Sequence, residues 1–331
     1  MSTITTNTDT TLEDPSVIDR QTEAQLAAIA AHVKETQPLT GELRPMDIYW
    51  KERMAKEDEN SHTAAAATTV DNTATATTAT GMDDATTVDD ATSHFAAGCQ
   101  YLTQHYAAYR SVRGDGNCYF RAFLYRLVEL LSSSDNGATE SQRLLTWLQT
   151  TSWEQVLNIG GYSEFAIEAF YDSLRQVLQE IVEQHKKQST TSFKSNWHAR
   201  FNKENDLSDY CTWYLRVLTA TQLKAHAERF LPFIEDTTFA ATMDMAAYCQ
   251  RHVEPMGVEC EMVSVAALAE ALGVRVVAEY LDGRPLDKNK KLARHEFGPT
   301  TAGAALTIHV LYRPGHYDIL YPHTSDCRGM G

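Results

Sequence analysis

The sequence lacks three features that would each define a class of protein: an excess of basic charge, a long apolar run and a paired-cysteine motif. Its 29 Lys and Arg residues stand against 44 Asp and Glu residues, a formal net charge of −15. This balance argues against a nucleic-acid partner, which calls for a basic surface. No apolar run could span a membrane, and the Thr- and Asp-rich N-terminus has no signal-peptide core. We therefore expect no membrane partner and a cytoplasmic protein, with the nucleus as the second candidate location.

The six cysteines are scattered, and none belongs to a Cys-x-x-Cys pair. A chain of this length can bury enough apolar surface to fold without a disulfide framework. Structural zinc needs clustered ligands, which this spacing does not provide. We expect no metal and no cofactor, and we interpret most cysteines as small core residues, with at most one or two that carry chemistry. They are Cys99, Cys118, Cys211, Cys249, Cys260 and Cys327.

The N-terminal part of the chain predicts a helix after a disordered start. Residues 1–14 are mostly polar, and Asp14 before Pro15 is typical of a helix N-terminus. Apolar residues then recur at helical spacing, and a second short helix is predicted over residues 46–54. We interpret residues 15–56 as an N-terminal helical region. Its apolar positions include Leu26, Ile29 and Val33.

Residues 57–94 are dominated by Thr, Ala and Asp and contain almost no large apolar side chain. Such a composition cannot bury enough surface to fold, so we predict a disordered acidic insert. The insert makes the tether between the N-terminal helical region and the following folded domain long and loose. We place that domain at residues 95–323, and we predict that residues 324–331 form a C-terminal tail.

Within the folded domain, helical patterns come first and strand patterns cluster late. Helices are predicted around Phe120–Leu131, Phe170–Ile181, Cys211–Leu218 and Val263–Leu272. Strands are predicted at Val274–Tyr280, Thr307–Tyr312 and His316–Tyr321. Ser208 is the expected N-cap of the third helix, and Gly273 is the expected stop of the fourth. This order predicts a mixed α/β (α+β) domain with a small β-sheet flanked by helices.

Cys118 follows the turn-forming run Gly114-Asp115-Gly116-Asn117 and begins an apolar-periodic helix. At a helix N-terminus, the macrodipole and the free N–H groups stabilise a thiolate. The same N–H groups can bind a developing oxyanion. A buried cysteine after an ordinary turn would leave the same pattern, and spacing alone does not separate these interpretations.

His316 opens a predicted strand after the turn signal Pro314-Gly315, and Asp318 follows two residues later. Side chains two residues apart on a strand point to the same face, so the carboxylate can orient the imidazole. This arrangement is the base-and-orienter half of a Cys-His-Asp triad. A surface His–Asp pair at a hairpin end is the alternative. Together with Cys118, the pair favours a cysteine hydrolase.

Several segments of the chain resemble the ovarian-tumour (OTU) family of cysteine deubiquitinases. Residues 114–123, Gly-Asp-Gly-Asn-Cys-Tyr-Phe-Arg-Ala-Phe, are similar to the nucleophile motif of that family. Residues 313–321, Arg-Pro-Gly-His-Tyr-Asp-Ile-Leu-Tyr, resemble the His motif of one branch, the otubains. The similarity runs over residues 96–322 in the family order and implies a papain-like cysteine protease fold, an OTU domain. Further similar segments are Gly161–Phe170, Ser208–Tyr210, Val253–Met256 and Ala267–Leu272.

The resemblance implies a role for each candidate site residue. Cys118 would be the nucleophile, His316 its general base and Asp318 the residue that orients His316. Asp115 matches an acidic position counted with the catalytic residues, although its expected physical part is to shape the loop. Glu259 matches an acidic position near the catalytic His of otubains.

The activity implied by the resemblance is thiol-dependent hydrolysis of isopeptide bonds at the C-terminal glycine of ubiquitin, without a metal. Expected partners are ubiquitin and polyubiquitin chains, with ubiquitin-conjugating enzymes as further candidates. The leading substrate is the chain type that marks proteins for the proteasome. The N-terminal helical region is then a ubiquitin-binding arm or, equally, a packing or oligomerisation element. A non-catalytic regulator that binds ubiquitin and conjugating enzymes is the main alternative. A cysteine hydrolase or acyltransferase of another kind is the third.

Overall fold

A computed structural model of the chain describes residues 28, 31–52, 85–187, 191–234, 244–299 and 306–323. Predictions for the first 27 residues, for most of the acidic insert and for the C-terminal tail therefore lie outside the described residues. In the described part of the chain, no helix combines the length and apolarity that crossing a membrane requires.

The described strands form one six-stranded sheet. They are β1 Arg44–Pro45, β2 Tyr106–Arg110, β3 Arg275–Tyr280, β4 Ala293–Phe297, β5 Thr307–Arg313 and β6 His316–Pro322. Their order across the sheet is β1-β2-β6-β5-β3-β4. β3 and β5 pair in parallel, and the other neighbouring strands pair antiparallel. The three predicted strands correspond to β3, β5 and β6 and are confirmed.

Helices supply most of the remaining structure. The longer ones are α1 Ala85–His105, α2 Cys118–Ser133, α3 Gly137–Trp147, α4 Glu164–Lys187, α5 Thr191–Phe201, α6 Leu207–Ala225 and α7 Met262–Leu272. Short helical turns occupy Met46–Ile48, Leu148–Ser152, Trp153–Gln155, Val156–Gly160, Ala227–Phe230, Leu231–Phe233, Met245–Tyr248 and Cys249–Val253. The four helices predicted in the folded domain are confirmed as α2, α4, α6 and α7. The small sheet flanked by helices confirms the mixed α/β class.

The residues of β6 alternate between two apolar clusters. Tyr317 and Ile319 belong to the large cluster that α2 shares with α4, α6 and α7. Leu320 belongs to a second cluster, which includes Met46 and Tyr49 from the N-terminal part and residues of α1. The sheet is therefore covered on both faces, and the strand that carries His316 is held from both sides.

The chain around residues 37–52 is built into the domain, which corrects the expectation of a loosely tethered arm. β1 pairs with β2, and Thr40 forms a β-bridge with Val112. Leu39 and Tyr49 are buried. Burial of these apolar side chains stabilises the docked segment, and this stabilisation does not depend on the length of the insert. The predicted helix over residues 46–54 is present in part, because residues 46–48 form a 3-10 turn and residues 49–52 are helical.

Two local predictions differ from the structure. Residues 85–94, predicted to be disordered, are the first half of α1. The packed second half of α1 nucleates the helix, and extending a helix into an Ala-containing stretch then costs little. Asp206 rather than Ser208 caps α6, since its carboxylate accepts the N–H of Leu207. Ser208 lies one position inside the helix and is buried.

Candidate active site

His316 and Asp318 lie side by side at the start of β6, as their spacing predicts. Nε2 of His316 is 2.8 Å from Oδ1 of Asp318. A carboxylate only accepts hydrogen bonds, so Nε2 carries the proton and donates it. The other nitrogen, Nδ1, faces the loop before α2, where a β-carbon on Gly114 would lie 3.4 Å from it. The imidazole is thus held between a carboxylate and the Cys118 loop.

The Asp318 carboxylate is buried, and three donors hold it. Oδ1 accepts the main-chain N–H of Val112 at 3.0 Å as well as His316, and Oδ2 accepts Nη2 of Arg313 at 3.0 Å. Burial acts to raise the pKa of Asp318, but His316, Arg313 and the Val112 N–H together keep it well below its usual range. Asp318 is therefore an anion with a fixed orientation.

Cys118 is the first residue of α2, and its side chain is buried. Its own N–H has no acceptor within the helix, because the first N–H groups of any helix lack one. Its thiol interacts electrostatically with the imidazole of His316. Burial acts to lower the pKa of His316, but Asp318 and Cys118 raise it to about 9. The imidazole therefore holds a proton strongly beside a sulfur at a helix N-terminus, an arrangement that favours a thiolate–imidazolium pair.

The backbone before Cys118 requires glycine at one position. Gly116 has φ 76°, in the left-handed region, and a β-carbon there would lie 2.0 Å from the carbonyl oxygen of Gly257. Gly257 belongs to the loop before α7 and donates its N–H to Oδ1 of Asn117 at 2.9 Å. The loop that carries Cys118 is thus fixed by close contact with a second loop.

Asp115 contacts the loop itself rather than the reacting groups. Its Oδ1 accepts the N–H of Asn117 at 3.1 Å. Its carboxylate also accepts Nη1 of Arg121, whose Nη2 donates to Asp209 of α6 at 2.9 Å. These contacts fit the expectation that Asp115 shapes the turn, and they tie that turn to α2 and α6.

Glu259 lies close to the turn that precedes His316. A β-carbon on Gly315 would be 2.8 Å from Oε1 of Glu259. Gly315 has φ 73°, so this turn needs glycine for its conformation as well as for the space beside Glu259. The structure thus brings Glu259 to the neighbourhood of His316, as its sequence match suggested.

The sequence patterns missed Arg216, Asn117 and Arg313 as members of the site. Arg313 stands within the predicted His segment, and Asn117 within the predicted turn. Arg216 lies among apolar residues on the buried face of α6 and is itself fully buried. A charge on an otherwise apolar helical face is the signal that could have found it. In the described part of the chain, no group of His, Cys, Asp and Glu side chains could hold a metal ion.

Comparison with known proteins identifies the family. The model of the otubain peptidases, Peptidase C65, matches residues 54–322. The chain belongs to the otubain family. It is 34% identical over 225 residues to ubiquitin thioesterase OTUB1 of Homo sapiens, covering 66% of this chain and 72% of the relative. It is 32% identical over 235 residues to OVARIAN TUMOR DOMAIN-containing deubiquitinating enzyme 1 of Arabidopsis thaliana, covering 68% of this chain and 72% of the relative.

The fold of this otubain is also seen in solved structures. A ceOTUB1 chain in a complex with ubiquitin aldehyde and UBC13~Ub superimposes with a TM-score of 0.67 at 24% identity, covering 90% of this chain and 99% of that chain. This likeness confirms the papain-like OTU fold. The family and its named relatives show that this otubain is a cysteine-type deubiquitinase.

Proposed function

We propose that this otubain hydrolyses isopeptide bonds at the C-terminal glycine of ubiquitin, with Cys118 as nucleophile, His316 as general base and acid, and Asp318 as the residue that orients His316. The observation that carries the assignment is the position of the His316 imidazole, which donates from Nε2 to Asp318 and turns Nδ1 toward the loop that carries Cys118. Asp115 acts through the loop, by holding the Asn117 N–H and Arg121.

The first half of the reaction starts from the thiolate–imidazolium pair. The sulfur of Cys118 forms a bond to the carbonyl carbon of the terminal ubiquitin glycine, and the carbonyl oxygen becomes an oxyanion. The N–H of Cys118 at the helix N-terminus is available to bind that oxyanion, together with other N–H groups of residues 114–118. The C–N bond to lysine then breaks, and the imidazolium of His316 gives its proton to the leaving amine.

The second half of the reaction releases ubiquitin. Neutral His316 takes a proton from a water molecule, and the resulting hydroxide attacks the thioester carbonyl. The C–S bond breaks, ubiquitin leaves with a free carboxylate, and the thiolate–imidazolium pair is restored. Asp318 stays ionised throughout, because its three donors keep its pKa well below its usual range.

The preferred substrate in this proposal is polyubiquitin of the proteasome-targeting chain type. Its support is the docked N-terminal part of the chain. Arg113, which directly precedes the Gly114 loop, donates to the main-chain oxygen of Gln37 at 2.8 Å. Residues 31–36 are helical and end beside this contact. A helix that ends beside the nucleophile loop is well placed to hold the second ubiquitin of a chain.

A regulator that binds ubiquitin and a charged conjugating enzyme is the second candidate function. One observation favours it: the solved complexes of the related chains contain UBC13~Ub or UBCH5B~Ub beside ubiquitin aldehyde. Ubiquitin-conjugating enzymes are therefore proposed as partners in addition to ubiquitin. The cytoplasm is the proposed location, with the nucleus second, since Cys118, Cys211, Cys249 and Cys260 are free thiols, as a reducing compartment favours.

A panel of di-ubiquitins that covers every linkage tests the catalytic proposal. The full chain is compared with its Cys118→Ala variant, and binding to ubiquitin is measured for both. We expect linkage-selective cleavage by the native protein and none by the variant, with binding retained. Cleavage that survives in the variant would refute the role of Cys118. Tight binding without cleavage by the native protein would favour the regulator.

A further inference from the structure

Arg216 of α6 is a fully buried cation whose hydrogen-bond acceptors are neutral. The guanidinium reaches from α6 to both loops that surround Cys118. Nη2 donates to the main-chain oxygens of Gly116 at 2.9 Å and Val258 at 2.7 Å and to Oδ1 of Asn117 at 2.9 Å, and Nη1 donates to the main-chain oxygen of Val253 at 2.9 Å. One side chain therefore ties the nucleophile loop to the loop before α7.

Such a cation is costly to keep inside a protein. Burial of an arginine without a carboxylate partner is unfavourable, and here burial lowers the pKa of Arg216 to about 10. The guanidinium also lies over the ring of Phe120 at 4.5 Å, which offsets part of that cost. Hydrogen bonds to carbonyl oxygens hold Nη1 and Nη2, but Nε is buried without a partner, and none of these bonds neutralises the charge.

The acidic groups nearest in effect to Arg216 lie in or beside the candidate active site. The acidic groups that attract Arg216 are Cys260, Cys118 and Asp115. Asp115 is already paired with Arg121, and burial raises the pKa of Cys260 well above its usual value, so that thiol stays neutral. Cys118 is the remaining group, and it directly follows Gly116 and Asn117, which Arg216 holds.

We propose that Arg216 is a positioning residue of the active site, which locks the Gly116–Asn117 peptide against the loop at residues 253–258 and supplies the positive charge that favours the Cys118 thiolate. The inference rests on the proposed role of Cys118 as nucleophile. It adds a second source of thiolate stabilisation to His316. Because Arg216 reaches Cys118 through the loop backbone, loss of its planar fork changes where the sulfur points, whereas loss of its positive charge changes the charge state of the sulfur.

Several charged or titratable groups face Cys118, and the test must separate them. They are His316 with Asp318 from β6, Arg216 from α6, Cys260 from the loop before α7, and Asp115 with Arg121 from the nucleophile loop and α2. Arg216→Lys keeps the charge and loses the fork. Arg216→Gln and Arg216→Met lose the charge, and they differ in whether a polar donor remains.

The rate at which iodoacetamide alkylates Cys118 is measured from pH 4 to 9 in the full-length protein, with the Cys118→Ala variant as background. This readout needs no ubiquitin, so it can fail independently of the proposed function. In the two neutral variants we expect the acid limb of the alkylation curve to move up by about 1 pH unit. In Arg216→Lys the acid limb of the alkylation curve stays near that of the native protein, but kcat for di-ubiquitin falls roughly 10- to 100-fold.

Arg200→Met is the matched control, because Arg200 of α5 is paired with Glu180 of α4. We expect its loss to leave both the alkylation curve and kcat unchanged. All rates are divided by the folded fraction from thermal unfolding, so a destabilised variant still reports on the folded site. The proposal is overturned if the alkylation curves of Arg216→Gln and Arg216→Met superimpose on the native curve. It is also overturned if Arg216→Lys keeps native kcat, since the fork would then have no positioning role.

Discussion

His316 and Asp318 are joined by a 2.8 Å hydrogen bond between Nε2 and Oδ1 within a single strand, β6. The bond leaves Nδ1 for the Cys118 side of the ring. Asp318 cannot turn away, because Arg313 and the Val112 N–H hold its two oxygens. The strand therefore fixes the direction of the base before any substrate binds, which reduces the reorganisation needed in the reaction.

Asp318→Asn tests what this carboxylate does to His316. Asp318 and Cys118 raise the pKa of His316 to about 9 against the lowering effect of burial. The imidazolium that protonates the leaving amine is then present below about pH 9 and lost above it, so kcat/KM falls on the alkaline side. An amide cannot stabilise the imidazolium, so the alkaline limb moves to lower pH, and kcat falls roughly 10²- to 10⁴-fold.

The measurement is kcat/KM from pH 5 to 10 with a fluorogenic ubiquitin C-terminal amide. Glu180→Gln is the control, since it removes a carboxylate that pairs with Arg200 and leaves the triad intact. An alkaline limb that stays in place in Asp318→Asn would show that Asp318 does not set the basicity of His316.

Gly116→Ala should cost both stability and activity. An alanine at φ 76° is strained by roughly 1–2 kcal/mol, and its β-carbon would also meet the carbonyl of Gly257 at 2.0 Å. Gly161→Ala is a close match, because Gly161 has the same φ of 76° but nothing within 4 Å of its β-carbon. We expect a small loss of Tm in Gly161→Ala with full kcat. In Gly116→Ala, Tm falls further and turnover is lost. Equal effects on Tm and kcat would contradict the loop-to-loop contact.

Tyr49 links the N-terminal part of the chain to Asp318 through Arg313. Its hydroxyl interacts with the Arg313 guanidinium that holds Asp318. Tyr49→Phe keeps the buried ring and removes that interaction, so we expect kcat to fall roughly 2- to 10-fold with KM and Tm near native. Tyr109→Phe is the control, since Tyr109 packs edge-on against Tyr49 at 4.8 Å but donates its hydroxyl to Glu52. A fall in kcat that is the same in both variants would argue against a specific Tyr49–Arg313 link.

The positions of the proposed catalytic groups could be predicted from the sequence because each depends on local geometry. Cys118 begins a helix after a turn, and His316 and Asp318 lie two positions apart on one strand, so short patterns define both. Arg216 and Tyr49 could not be placed in the same way. Each reaches the site through contacts between segments that are distant in the chain, and one sequence without tertiary information does not specify such pairs.

The same reasoning explains the elements that the patterns missed. β4 is an edge strand whose side chains are all exposed or half-buried, so it lacks the buried apolar run that marks a strand. β2 follows α1 directly, with no turn residues between His105 and Tyr106 to mark a boundary. Packing against β6 and β1 decides its conformation, which overrides local propensity.

Two truncations separate the roles of the N-terminal helix and of the docked chain that follows it. Deletion of residues 1–36 removes the helix but keeps Gln37, the Thr40–Val112 bridge and β1. We expect Tm and the cleavage of a fluorogenic ubiquitin amide to stay near native, while cleavage of the preferred di-ubiquitin falls, because only that substrate has a second ubiquitin for the helix to hold.

Deletion of residues 1–52 also removes Leu39, Met46 and Tyr49, which are 0%, 2% and 1% exposed. Loss of each buried side chain costs roughly 1.5–3 kcal/mol, and the Arg313–Asp318 pair loses its Tyr49 contact as well. We expect a large fall in Tm and loss of turnover on both substrates, measured by thermal unfolding and steady-state kinetics. If the shorter deletion leaves di-ubiquitin cleavage unchanged, the helix is a packing element rather than a ubiquitin-binding arm. If the longer deletion keeps native Tm, the second apolar cluster does not depend on the N-terminal chain.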